Sequence, residues 1–374
     1  MHRTGVANLP LHGGKAPEWL TGRMRKLARE ITSLIVNEYG TDTFLRRISD
    51  PYWFQAFGCV LGYDWHSSGV TTVVTGVLKQ ALSLEEHGLA VCGGKGRVSR
   101  KTPDEIVKTA EAFGFSEGFA KTLAYTSKMT AKVDNTAIQA GYQLYHHVFM
   151  LAENKKWAVI QQGMSSEDRT ARRYHWLSDK TIDLVVEPHN AIVSDLKRER
   201  ALDMTAKRSE GARKTSVDLA KESPHRLSRL FEEARPLNQR SLKDWMPKTD
   251  SPQQFEVFTM PRGINWNTME RVYEFQPINY EELLSIKGVG PATVRGLALV
   301  AELVYGEKPS WEDPVKYSFA YGGKDGVPFP VNRKAMDESI SLLREAVKSA
   351  KIGDNERARS LQRLRRFVPA NAKP

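Results

Sequence analysis

Apolar residues recur at helical spacing over "PEWLTGRMRKLAREITSLIVNEY" (17–39), where Leu20, Met24, Leu27, Ile31, Leu34 and Ile35 form one stripe. Pro17 suits a first helical turn and Gly40 a stop, so a helix is predicted between them. "DPYWFQAFGCVLGYDW" (50–65) is dense in aromatic residues and glycine and reads as a buried segment feeding a turn. "SSGVTTVVTGVLKQAL" (67–82) follows as a capped helix, although its β-branched run keeps a strand open. Residues 103–132 read as two helices parted by Gly114 and Phe115.

The pattern then changes period. "YQLYHHVFML", "KWAVIQQGM" and "ARRYHWL" are aromatic and β-branched, with polar "AENK" and "SSEDRT" between them. This predicts a three-stranded antiparallel meander. "DKTIDLVVEPHNAIV" reads as a return to helix, and the charged stretch 197–235 as an exposed helix. Residues 236–263, rich in Pro, Gln, Ser and Asp, suit a linker. A helical region follows, closed by a helix over 334–350 and the basic tail "ERARSLQRLRRF". The predicted fold class is therefore α+β. An N-terminal domain (1–195) surrounds a small antiparallel sheet, a charged helix and linker span 196–263, and a helical domain occupies 264–374.

Within that last region, Gly288 and Gly290 flank Val289, with Leu283, Leu284 and Ile286 before them and Val294, Leu297 and Leu299 after. This is the pattern of a helix-hairpin-helix: "NYEELLSI", the hairpin "KGVG", and a second helix starting near Pro291. The glycines would permit positive φ and the close approach of another backbone. Unpaired amides at the second helix's N-terminus, beside its positive dipole end, suit a phosphate oxygen. The candidate nucleic-acid-binding residues here are Lys287, Gly288, Val289, Gly290, Thr293 and Arg295. Such contacts position a protein without reading base sequence. The plain alternative is a glycine turn between two packed helices.

Charge points the same way. Lys and Arg number 55 against 44 Asp and Glu, a net +11, which favours a polyanionic partner. Gly-Gly-Lys occurs at 12–15, 92–95 and 321–324, each within a four-residue "xGGK". Consecutive glycines can form an anion-binding nest with lysine beside it, which adds Gly322, Gly323 and Lys324 to the binding candidates. None has P-loop spacing, and three unrelated surface turns would look the same. Cys59 and Cys92 are too few for a disulfide framework, so a reducing compartment is expected. "MHRTGVANLPLHGGKAP" lacks the apolar core of a signal peptide, and no apolar run approaches the roughly 20 residues of a membrane span. The expectation is a cytoplasmic protein with no membrane partner.

Several longer stretches carry a resemblance: "LPLHGGKAPEWL", "SDPYWFQAFGCVLGYDWHSSGVTTVV", "DNTAIQAGYQLYHHVFML", "WAVIQQGM", "ARRYHW" and "DPVKYSFAYGGKDGVPFPVNR", together with the hairpin. Over nearly its full length the chain resembles the family known as domain of unknown function 763, found in archaea and bacteria. That resemblance implies no activity. A weaker one is to the helix-hairpin-helix DNA glycosylases, which place a catalytic Asp after the hairpin's second helix. "SWEDP" offers Asp313 there, at an interval a few residues longer. Where lyase-active members carry Lys this chain has Ala292, which excludes Schiff-base chemistry from that position, and their upstream helical domain is not recognisable.

Candidate chemistry concentrates in the N-terminal half. Asp64 and His66 lie in "GYDWHSSG", His146 and His147 in "YQLYHHVF", Gln161 and Gln162 in "VIQQG", and Arg172, Arg173 and His175 in "ARRYHW". On a strand over 142–151, His146 and His147 face opposite sides, the first with Tyr142 and the second with Gln143 and Tyr145. The candidate catalytic set is Asp64, His66, His146 and His175 around a scissile phosphate, with Arg172 and Arg173 holding its oxygens. A divalent metal is the open cofactor, although no HExxH spacing or Ser/His/Asp order stands out. Satisfied core histidines are the alternative. Asp134 and Asn135 precede the first strand, but "IQQG" lacks the lysine a restriction-type nuclease needs. Trp53, Phe54, Tyr63 and Trp65 suit stacking on an extruded base, and suit a packed core better. The expected function is DNA binding, in a repair or processing enzyme of hydrolytic nuclease or base-excision type that grips backbone without sequence preference. A non-catalytic DNA-binding or architectural protein and an RNA-modifying enzyme are the alternatives.

Overall fold

The computed structural model describes residues 18–63, 68–194, 196–234, 260–261, 263–315 and 333–367. Helix α1 (Glu18–Ile48) follows the predicted stripe but continues past Gly40. Gly40 leaves helical geometry (φ 80, ψ 165) and kinks the chain before the helix resumes. Helix α2 (Pro51–Leu61) opens where the Asp50 carboxylate accepts from the Trp53 amide at 2.8 Å, and ends at Gly62 in the left-handed region. Every residue of α2 is buried, as its aromatic density implies, and Trp53 and Phe54 are core residues. Helix α3 (Gly69–Ala81) and the single turn α4 (Leu84–His87) lead into strand β1 (Leu89–Lys95). Helices α5 (Thr102–Ala112) and α6 (Glu117–Lys132) fall on either side of Gly114 as predicted.

A π-helical turn, Val133–Ala137, links α6 to the short strand β2 (Ile138–Gln139). Strands β3 (Gln143–Ala152), β4 (Trp157–Ser165) and β5 (Thr170–Leu177) are the predicted meander. They form the middle of a larger antiparallel sheet, in the order β1–β3–β4–β5–β6, with β6 at Ala191–Ser194. A second, two-stranded sheet pairs β2 with β7 (Leu202–Asp203). The helix expected over "DKTIDLVVEPHNAIV" does not form. The Asp183 carboxylate accepts from the amides of Val185 (2.6 Å) and Val186 (2.8 Å), a local turn that competes with helix, and Pro188 follows.

The exposed helix expected over 197–235 is instead β7 followed by two helices, α7 (Glu210–Ala220) and α8 (Pro224–Glu233). One side of α7 is buried through Ala212, Val217, Leu219 and Ala220. The C-terminal helices are α9 (Trp266–Phe275), α10 (Tyr280–Ser285), α11 (Pro291–Tyr305), α12 (Arg333–Ser349) and α13 (Asp354–Phe367).

Both faces of the five-stranded sheet are covered. On one, α1, α2 and α3 bury Met24, Ile31, Trp53, Phe57 and Val74 against Val148, Met150 and Ile160. The described helices of 264–374 are shared between the faces: α12 and α13 pack on α2 and place Leu343, Val347 and Leu364 in this first core. The opposite core combines Phe149, Leu151, Val159 and Trp176 with Ile106 and Leu123 from α5 and α6, and with Leu283, Leu297 and Val300 from α10 and α11. Among the described residues no helix is long and apolar enough to cross a membrane.

Candidate functional site

Helices α10 and α11 are joined by residues 286–290. Asn279 caps α10 by accepting from the Glu282 amide at 2.8 Å, and the Val289 amide donates to the Ile286 carbonyl at 3.2 Å to close the turn. Gly288 is exposed at φ 101, and a Cβ there would stand 2.5 Å from Thr268 Oγ1 and 2.9 Å from Arg271 Nη2. Only glycine fits both constraints. Gly290 differs: its φ of −132 is open to any residue, and an added Cβ would meet nothing closer than the Gly288 carbonyl at 3.8 Å. The sequence reading gave positive φ to both glycines, and the structure requires it at Gly288 alone.

Around this turn the candidates separate. Lys287 is exposed, as is Arg271 of α9, which the sequence did not single out. Val289 and Thr293 are buried and anchor the turn from beneath. The Arg295 guanidinium lies 5.8 Å from the Trp311 ring centroid, so it packs inward. The turn docks on the rest of the molecule through Lys132, whose Nζ donates to the Ile286 carbonyl (3.4 Å), and Gln139, whose Nε2 donates to Pro291 O (2.9 Å). Burial lowers the pKa of Lys132. Pro291 has no N–H and the Val294 amide donates to the Gly290 carbonyl (3.0 Å), so the amides left without an acceptor in their own helix, beside its positive dipole end, are those of Ala292 and Thr293.

Of the other glycine motifs, only Cys92–Lys95 falls within the described residues; those at 12–15 and 321–324, with Gly322, Gly323 and Lys324, lie outside them. At Cys92–Lys95 the Gly93 amide donates to the chain's own Glu105 carboxylate (2.8 Å), and Lys79 donates to the Gly93 carbonyl (2.8 Å). An anion held by the Gly93 amide is thus already supplied internally. A Cβ on Gly93 would come within 2.3 Å of the His147 carbonyl, so close strand packing accounts for the glycine.

The catalytic candidates divide between the faces of the sheet. His146, Arg173 and His175 share the face covered by α2 and α3, and all three are buried. Arg173 Nε donates to His175 Nε2 at 2.9 Å, and its guanidinium lies over the Phe54 ring at 4.4 Å. His146 Nε2 pairs with Thr75 Oγ1 at 2.9 Å. Gln162 joins the group, its Nε2 donating to the Ser68 carbonyl at 2.8 Å. The Nδ1 atoms of His146 and His175 have no hydrogen-bond partner. Burial pushes the His146 imidazole down to about 3, with His147 and Lys95 repelling the charged form further. Burial and then Arg173 hold His175 well below the ordinary value. These are neutral rings in a closed interior. Asp64 and His66 lie outside the described residues. Among those described, no group of three or more His, Cys, Asp or Glu converges to hold a metal ion, and Arg173 already occupies His175 Nε2.

Arg172 points to the opposite face. Its two terminal nitrogens donate to the Asp313 carboxylate at 2.9 and 2.6 Å, both side chains fully buried, and its guanidinium lies 4.4 Å from the Tyr142 ring. The Arg198 amide adds a 2.7 Å bond to the same carboxylate. Arg172 and Asp313 are closed off from solvent and lock β5 to the segment after α11.

His147 belongs to a second buried chain on this face that the sequence did not reveal. Ser127 Oγ meets His147 Nε2 at 2.7 Å, His147 Nδ1 meets Gln161 Oε1 at 2.8 Å, and Gln161 Nε2 donates to Asp134 at 2.6 Å. Asp134, in the π-helical turn, also accepts from Trp176 Nε1 (3.0 Å) and pairs with His189. Burial raises the Asp134 pKa against the pull of His189. The expected strand partners of the two histidines are also exchanged. A bulge between Leu144 and His146 turns Tyr145 to the His146 side, where it bonds Gln162, and leaves Tyr142 beside Arg172.

No curated protein and no solved structure matches the chain. One family does, described as "Protein of unknown function (DUF763)", and its match covers residues 5–331. The chain belongs to that family, domain of unknown function 763.

Proposed function

We propose that this protein binds nucleic-acid backbone phosphates at the 286–290 turn, with DNA as the polymer and no sequence preference. The observation that carries the reading is the exposed turn between two helices, where Lys287 and Gly288 reach solvent beside exposed Arg271, Gly288 holding the turn at φ 101. The Ala292 and Thr293 amides of α11 supply donors there, and exposed Lys287 and Arg271 supply charge. A net charge of +11 supports a polyanionic partner. Binding without hydrolysis is favoured over a nuclease or glycosylase, because His146, Arg173 and His175 are closed off beneath α2 and α3.

Fluorescence anisotropy with labelled single-stranded DNA, duplex DNA and RNA tests the reading. The intact chain should bind DNA, and Lys287→Glu should weaken binding at least tenfold without changing the fold. Equal affinity of wild type and Lys287→Glu would refute the site. Cleavage of any of these substrates by wild type, lost in His175→Ala at unchanged folding, would restore the hydrolytic reading.

A further inference from the structure

A groove of about 690 Å³ opens between α7 and the start of α10, at the end of α10 remote from the 286–290 turn. Its volume falls in the range of small-molecule sites. Two of its lining residues are unusual. Arg213 is buried, and its Nη1 donates to the carbonyls of Met204 and Ala206, both at 2.7 Å. Among the described residues no carboxylate forms a direct ion pair with it, and Asp183, Glu210 and Asp203 act on it only from longer range. Burial lowers its pKa, against the longer-range pull of Tyr280, Asp183, Glu210 and Asp203. Tyr280 is 6% exposed and its hydroxyl has no hydrogen-bond partner.

A buried cation and a buried unpaired donor are both unfavourable in an empty protein. One ligand would relieve both if it carried an anionic group with acceptor oxygens. The rim agrees in sign: Lys207, Lys214 and Lys221, with Arg213, give four cations against Glu210 and Asp218. Lys214 is partly neutralised by Glu210 at 2.6 Å and Lys207 by Glu187 at 3.4 Å. The walls also present apolar surface, and Ile278 is 75% exposed at the groove's edge. The ligand should therefore be two-sided, with an anion at one end and a flat or apolar body at the other.

We propose that this groove binds a nucleoside phosphate, its phosphate set against Arg213 and the rim lysines, its base or sugar against Ile278, and the Tyr280 hydroxyl donating to it. The same chemistry is offered by a free mononucleotide and by the 5′-phosphorylated end of a strand. The proposal does not depend on phosphate binding at Gly288.

Isothermal titration of the full chain tests it with four probes: adenosine 5′-monophosphate, inorganic phosphate, and a tetranucleotide with and without a 5′-phosphate. Saturable binding of the mononucleotide at one site per chain is expected, tighter than inorganic phosphate. A preference for the phosphorylated tetranucleotide over the mononucleotide would identify a strand end as the source, and the reverse a free nucleotide. Tyr280→Phe should weaken binding about tenfold while melting at or above the wild-type temperature, because the hydroxyl it removes has no partner in the empty protein. Lys214→Glu on α7 with Lys221→Glu at its C-terminal cap should weaken it further. Absence of saturable binding for every phosphorylated probe, or full affinity in both groove variants, would overturn the proposal. Inorganic phosphate binding as tightly as the mononucleotide would overturn the nucleoside part of it.

Discussion

Buried imidazoles make this protein sensitive to acid in a defined direction. His146 and His147 are depressed to about 3 and about 4, in both cases first by burial, whereas an unfolded chain protonates them near the ordinary 6.5. The unfolded state therefore takes up more protons below pH 6.5, and their contribution to stability declines as pH falls from there toward the folded values. His146→Gln should remove one proton from this dependence. The fall in unfolding free energy between pH 6 and pH 4 should be shallower by about 1.4 kcal/mol per pH unit, measured by denaturant titration. An unchanged slope would mean that His146 is solvated. Asp313 makes a different prediction. Asp313→Ala leaves Arg172 as a fully buried charge without its partner, which should cost about 3–5 kcal/mol. DNA affinity per folded molecule should not change. A glycosylase-like role for Asp313 requires loss of activity with stability retained.

The hairpin between α10 and α11 allows its two glycines to be tested separately. Gly288→Ala forces a Cβ into positive φ and against Thr268, at a cost of about 1–3 kcal/mol, and should weaken DNA binding. Gly290→Ala adds a Cβ in open space with extended backbone and should fold and bind as wild type. Equal effects of the two would contradict this geometry. Such elements show what the sequence made legible. The stripe of α1, the pair α5 and α6, the meander and the α10–α11 pair follow from periodicity and turn residues, because each is decided by neighbours a few positions away. Strand β1 was missed because "LAVCGGK" is short and carries two glycines, and it becomes a strand only by pairing with β3. Strand β6 was hidden in a segment with helical composition whose backbone is captured by Asp183. The bulge at Leu144–His146 has no local signature, yet it decides which residues accompany each histidine. The pairs Arg172–Asp313 and Asp134–His189 join residues far apart in sequence, so nothing in the local pattern marks them.

Among the described residues, the reactive-looking side chains lie inside, and Arg172, Arg173 and Arg213 are buried with them. The central strands are covered on both faces, so Gln161, Gln162, Arg172, Arg173 and His175 bond one another or neighbouring segments rather than solvent, with Arg172 Nε and His175 Nδ1 left unpaired. Helices α12 and α13 close the first face by covering α2, with Leu343, Val347 and Leu364 in its core. Removing residues 333–374 should therefore expose apolar surface of α2 and lower the melting temperature; an equally stable truncated chain would show that this cover is dispensable. The most direct test of phosphate binding at the hairpin is the salt dependence of duplex DNA affinity in the intact protein. Each neutralised phosphate should contribute a log–log slope of roughly −0.9. The double variant Lys287→Ala with Arg271→Ala should reduce the magnitude of that slope by about one to two units and weaken binding uniformly across sequences. An affinity that does not fall with salt, or a folded double variant whose slope equals that of wild type, would contradict the account.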